Sequence, residues 1–269
     1  MSANVSPQPT APTESDVWEP PMPPDDLIFD DGEPLESNRH RLAMNVLIDS
    51  LYRAWSERDD FFAGGNMFVY YSRTQARNRD FRGPDFFVVL DVDGNQSRQG
   101  WVVWDENGRY PDVIVELMSP STASVDLGAK KDLYERIFRT RNYFVFDPFD
   151  PSSLQGWKLD NAFRYQPIPP NESGWLWSDV LQLWLGTWDG TLTRESATWL
   201  RFYDAQGNLL LLPVEAEQAE RQRAESERQR AESERQRAES ERQRAESERQ
   251  RADRLTEKLR ELGEDPETG

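Results

Sequence analysis

"PDVIVELMSPST", Pro111 to Thr122, joins the β-branched run of a buried strand to a Ser-Pro turn that opens a helix. Strand alternation puts Asp112, Ile114, Glu116 and Met118 on one face and Val113, Val115 and Leu117 on the other. A strand this apolar belongs in the middle of a sheet, yet it carries two acids on one face. The stretch reads as half of a metal site, and the rest of the chain must supply the other half.

Moving outward, "NRHRLAMNVLIDSLYRAWS" spaces Leu42, Val46, Leu47, Leu51 and Trp55 as one face of a helix over Asn38 to Ser56. "GGNMFVYYS" and "GPDFFVVLDV" follow as strands opened by glycine, and "GWVVW" as another after a turn at "VDGN". Beyond the quoted stretch come a helix, about Ser124 to Arg139, and the strand "NYFVFDP". Helix, strands, helix and strand in this order predict a mixed α/β domain. After Pro148, short Trp-rich segments punctuated by Gly, Asp and Pro predict antiparallel hairpins that extend the sheet or cover one face. Trp157, Trp175, Trp177, Trp184 and Trp188 suit either a core or a stacking platform for bases, and packing is the commoner use.

Both ends differ from this core. Residues 1–26 are rich in Pro, Ser and acids and read as a disordered leader ahead of the domain at 27–213. From 214 to 262 the heptad "ERQRAES" repeats without proline, which predicts one long helix, with residues 263–269 a disordered end. Each heptad has a single apolar residue, Ala224, Ala231, Ala238, Ala245 or Ala252, whereas a stable coiled coil needs two, usually larger. Pairs such as Arg221 with Glu225 and Arg223 with Glu227 support an isolated helix by ~0.2–0.5 kcal/mol each. The tail reads as a solvated helix, with self-association near Leu255, Leu259 and Leu262, or a protein partner, as its functional alternative.

Composition limits the chemistry. There are no cysteines and one histidine, His40, among 269 residues, so a bound metal must be held by oxygen, which points to Mg²⁺ or Mn²⁺. A formal charge of −17 argues against nonspecific coating of nucleic acid. The acidic leader accounts for part of that excess, because no Lys or Arg precedes Arg39. With no apolar span and no signal-like start, a cytoplasmic protein without membrane contact is expected.

Four strand residues cover ~13 Å, too far for Asp112 and Glu116 to share one ion, so Glu116 needs a carboxylate from the strand ~4.8 Å away. Asp85, where "GPDFFVVLDV" begins, is the best candidate, although Pro-Asp is also ordinary turn chemistry. On the second helix, Leu127, Leu133, Tyr134 and Ile137 define an apolar stripe expected to face the sheet, and Lys130 falls within it. Such a lysine either snorkels to the rim or meets the carboxylates.

The pattern PDVIVELMSPST, then Asp126, Lys130 and Tyr134, then NYFVFDP, resembles the Uma-two family of restriction endonuclease-like proteins, within the PD-(D/E)XK nuclease superfamily. The similarity runs from about Asp26 to Asp147 and implies a mixed sheet flanked by helices. The resemblance implies Asp85 at the Pro-Asp position and Glu116 at the (D/E) position, holding Mg²⁺ or Mn²⁺ with help from the Leu117 carbonyl. Met118 stands where the motif's lysine is usual, and Lys130 would replace it from the helix. Supporting roles fall to Asp112 at the strand entry, Tyr134, Asp126 and Glu36. Arg73, Arg77, Arg79 and Arg82 form a local basic cluster able to meet DNA phosphates, or a solvated loop. The implied activity is metal-dependent hydrolysis of DNA. The rival reading is an inactive nuclease fold that binds a partner through its tail. A glycosidase pair of Asp112 and Glu116 ranks low, because ~13 Å exceeds the ~5–9.5 Å such pairs use.

Overall fold

A computed structural model describes residues 27–29, 37–78 and 83–261, the side chains of Arg77 and Leu259 excepted. The chain forms two compact units, Met1–Leu210 and Leu211–Gly269.

The first unit opens with helix α1 (Asn38–Ala54), whose N-terminus is capped by Ser37, its side chain accepting a hydrogen bond from the His40 N–H. Leu42, Val46, Leu47 and Leu51 are buried as the helical spacing predicts, together with Ala43. A six-stranded sheet follows, made of β1 (Phe61–Gly64), β3 (Phe86–Leu90), β5 (Val113–Leu117), β6 (Asn142–Asp147), β7 (Asp150–Leu159) and β8 (Tyr165–Pro167), in that spatial order. Within this sheet, among the described residues, the β5–β6 pair alone is parallel, and the chain between these strands carries the second helical segment. The short strands β2 (Val69–Tyr70) and β4 (Trp101–Val102) pair separately. Strand β1 ends at Gly64, the first of the glycine pair, and the strand expected after that pair is the two-residue β2.

The Trp-rich part divides between both uses expected of it. Strands β7 and β8 extend the main sheet, while β9 (Leu176–Ser178), β10 (Leu183–Leu192) and β11 (Glu195–Tyr203) form a second, antiparallel sheet. One core lies between α1, this second sheet and one face of the main sheet, and contains Val113, Val115, Leu117, Phe86, Phe144 and Phe202. The other face has its own core, with Phe87, Ile114, Met118, Tyr134, Phe138, Tyr143 and Trp157. The central strand is therefore covered on both sides, which is why its residues are apolar on both.

The second unit is a helix over Pro213–Glu261, whose described repeat residues lie in water. At 1.5 Å per residue its 49 residues extend about 74 Å. Among the described residues no helix is long and apolar enough to cross a membrane.

Candidate functional site

Strand register brings the two acids together. Phe86 pairs with Val115 in the antiparallel β3–β5 ladder, so Asp85, one residue before β3, stands across from Glu116. Residues so placed share a face and lie within side-chain reach. The backbone N–H of Leu117 donates to Asp85 Oδ2 at 2.8 Å, and the Asp85 N–H donates to Glu116 Oε2 at 3.4 Å. Gly65 makes this approach possible, because a Cβ there would sit 2.2 Å from the Asp85 carbonyl oxygen, and the next residue, Asn66, donates its N–H to the Pro84 carbonyl.

Lys130 completes the cluster from the helical segment over residues 123–138. Its Nζ lies 3.1 Å from Glu116 Oε2 and 2.8 Å from Asp126 Oδ1. Tyr134 donates its hydroxyl to the other Glu116 oxygen at 2.7 Å, and Tyr143 donates its own to the Asp126 carbonyl at 2.8 Å. Glu116 is 0% exposed and Asp126 1%, while Lys130 retains 22%. A buried carboxylate is costly unless it is paired: Glu116 has Lys130, the Tyr134 hydroxyl and the Asp85 N–H, whereas the Asp126 carboxylate has the Lys130 ammonium.

The electrostatics follow from burial. Removal from water, and then the facing Glu116 carboxylate, push Asp85 well above the usual carboxylate range, against the opposing pull of Lys130. Burial disfavours the Lys130 ammonium, but Glu116 and Asp126 outweigh it and hold the group above the ordinary lysine value. Lys130 is therefore a fixed cation. Burial, followed by the Glu116 charge, also raises Tyr134, which stays a hydrogen-bond donor.

Half of the expected helix stripe needs correction. Tyr134 and Lys130 keep their expected side and Leu133 packs partly against the same core, but Leu127 and Ile137 are 39% and 50% exposed, and Asp126 and Phe138 are buried in their stead. The reason is winding: Asp126–Lys130 and Tyr134–Phe138 are π-helical, so the period assumed for an α-helix does not apply. Asp112 stands at the entry of β5, as the strand spacing required, with partners of its own. Its Oδ2 accepts the Leu90 N–H at 2.8 Å and its Oδ1 pairs with Arg141, so it fastens the entry of β5 to its neighbours.

Of the basic cluster, Arg73 begins the short helix α2 (Arg73–Arg77) and is half-buried, while Arg79, Arg82 and the Arg77 side chain lie outside the described residues. Glu36 does too. The tryptophans form no single platform: Trp157 stacks on Tyr143, Trp175 on Tyr203, and Trp188 lies beneath Arg201. Trp177 and Trp184 meet edge to face and, with Ile168 and Pro169, line a cleft of about 500 Å³ that shares no residue with the carboxylate cluster.

Two contributors escaped the sequence reading. His40 Nε2 lies 3.2 Å from the Met118 carbonyl, which can only accept, so that nitrogen carries the proton. Its Nδ1 lies 2.8 Å from Ser37 Oγ, and the ring thus ties the start of α1 to the end of β5. A histidine at an i+3 position from a helix cap was the available signal. Tyr143 had none, because its partner is a backbone oxygen.

No curated protein matches the chain. A solved structure described as "a putative nuclease belonging to DUF820" from Anabaena variabilis is similar at 11% identity, with a TM-score of 0.39, covering 60% of this chain and 86% of that one. The profile of the Uma2 family, described as "Putative restriction endonuclease", matches residues 19–193, well over half of the 269. The chain belongs to the Uma2 family.

Proposed function

We propose that the protein is a metal-dependent endonuclease that hydrolyses phosphodiester bonds in DNA, with Asp85, Glu116 and Lys130 as its working residues. The observation that supports this most directly is the pairing of two carboxylates across β3 and β5 with an ammonium beside them. Family membership points the same way.

The donor set fits a hard divalent cation. Two oxygen ligands converge where no cysteine and no second histidine exists, and burial already works against the charge on Asp85. Among the described residues no group of three or more metal-ligating side chains occurs, so water and substrate would complete the coordination, as Mg²⁺ commonly allows. Asp85 and Glu116 would hold the ion, which supplies Lewis acidity and a more acidic bound water. Lys130, kept charged by its two carboxylates, serves as a cation for the negative charge that grows on the phosphate oxygens, not as a base. Tyr134 donates to the Glu116 oxygen that Lys130 does not hold, and so fixes the orientation of that carboxylate.

Plasmid and single-strand cleavage with Mg²⁺ or Mn²⁺ tests the reading, using the full chain, Glu116→Gln and Lys130→Ala. Wild type should nick DNA only with metal, and each variant should lose about 10²- to 10³-fold in rate. Equal nicking by all three would assign the activity to a contaminant. No cleavage by wild type on any substrate would favour the interaction reading, in which the exposed helix over Pro213–Glu261 serves a protein partner or a second copy of the chain.

A further inference from the structure

The helical segment that delivers Lys130 alternates α turns at Ala123–Val125 and Lys131–Leu133 with π turns at Asp126–Lys130 and Tyr134–Phe138. In a regular α-helix each residue advances ~100°, so positions four apart drift by ~40° per step. The i→i+5 bonding of a π turn takes more residues per turn and offsets that drift. Residues 126, 130, 134 and 138 consequently share the sheet face, while two apolar residues, Leu127 and Ile137, are left outside. The winding turns polar groups inward, against the order that hydrophobicity alone would choose.

Asp126 is the member of this set whose burial the carboxylate pair does not explain. Its Oδ1 contacts Lys130 Nζ at 2.8 Å, closer than Glu116 Oε2 at 3.1 Å. Its carbonyl accepts the Tyr143 hydroxyl, and Tyr143 itself stacks on Trp157 and on Tyr165. A flexible lysine otherwise loses considerable side-chain freedom on being held, and reaches for the rim. We propose that Asp126 is the positioning residue of the site: anchored by the π turn and Tyr143, it keeps the Lys130 ammonium at Glu116 when that carboxylate is engaged elsewhere. This rests on the nuclease reading for its effect on rate, but the placement of Lys130 can be measured without any cleavage.

The chain has four lysines, Lys130, Lys131, Lys158 and Lys258, so lysine side-chain signals from isotopically labelled full-length protein can be assigned by single replacement. In wild type the Lys130 ε-signal should stand apart from an exposed lysine such as Lys258. Asp126→Asn and the shorter Asp126→Ser should move it towards the ordinary position and lower kcat by roughly 10- to 100-fold, with KM within about twofold. Asp126→Glu should restore the displaced signal and part of the rate. A purely structural role would instead lower the melting temperature and leave the signal and kcat of the folded fraction as in wild type, which overturns the proposal. If neither neutral variant folds, an Asp126→Glu protein with the wild-type signal and rate supports the proposal, and one whose signal matches Lys258 overturns it. Absence of cleavage by wild type would refute the nuclease reading alone, since the lysine signal still decides the role of Asp126.

Discussion

Two charged helices in this chain use the same pair of residue types, an acid and a base four positions apart, for opposite ends. In the tail, Glu217 and Arg221 meet at 2.5 Å with both side chains mostly in water. Near the carboxylates, Asp126 and Lys130 meet at 2.8 Å with the acid 1% exposed. Water screens the first pair and competes for it, so its contribution is a few tenths of a kcal/mol. The second pair meets far less of that competition, since Asp126 is buried and Lys130 is mostly so, and each partner left alone would be costly. Spacing in a sequence therefore says that two charges can meet, while the surroundings decide whether the meeting matters.

The comparison is broken most severely by removing the shared cation. Lys130→Met leaves the buried Glu116 and Asp126 carboxylates without their shared partner, and a loss of about 3–5 kcal/mol in urea unfolding is expected. A loss under 1 kcal/mol would mean the inner pair behaves like the outer one. Next in size is Gly65→Ala, which drives a Cβ against the Asp85 carbonyl and should cost about 1–3 kcal/mol, with a fall in metal-dependent cleavage.

Asp85→Asn should act in the other direction. Because burial raises the folded carboxyl above its unfolded value of about 3.9, the folded state holds the proton longer, and stability falls as pH rises through the folded value. Asn carries no charge and keeps an oxygen for the Leu117 N–H, so without metal the variant should be more stable than wild type at neutral pH and equal to it near pH 3. Parallel stability curves from pH 3 to 8 would contradict this. The smallest effect belongs to the tail, where Arg221→Gln should change helix content and stability by less than about 0.5 kcal/mol, and less still at high salt.

Much of this was legible in Val113–Leu117, where period-two alternation fixed which face holds Glu116 and the apolar character of both faces placed the strand centrally. Asp85 followed from strand spacing, because a partner across a ladder must come from the neighbouring strand. Half of the helix stripe was misread for a physical reason: residues 127, 133, 134 and 137 suit a period of 3.6, whereas the π turns hold a period nearer four. The partners of Asp112 were not legible, because sequence shows that a side chain faces one way but not which backbone N–H it meets. His40 went unread because its target is a carbonyl 78 residues away.

Met118, buried among Tyr134, Phe138 and Tyr143, carries one last consequence. Because the ammonium arrives from a neighbouring layer, the strand is free to finish in a hydrophobic anchor, and reach to the carboxylates becomes a matter of winding instead of register. A strand can change its register only by inverting both of its faces. A coil can be tightened or relaxed by one residue, so this arrangement gives the protein a fine adjustment that a strand-borne lysine would lack.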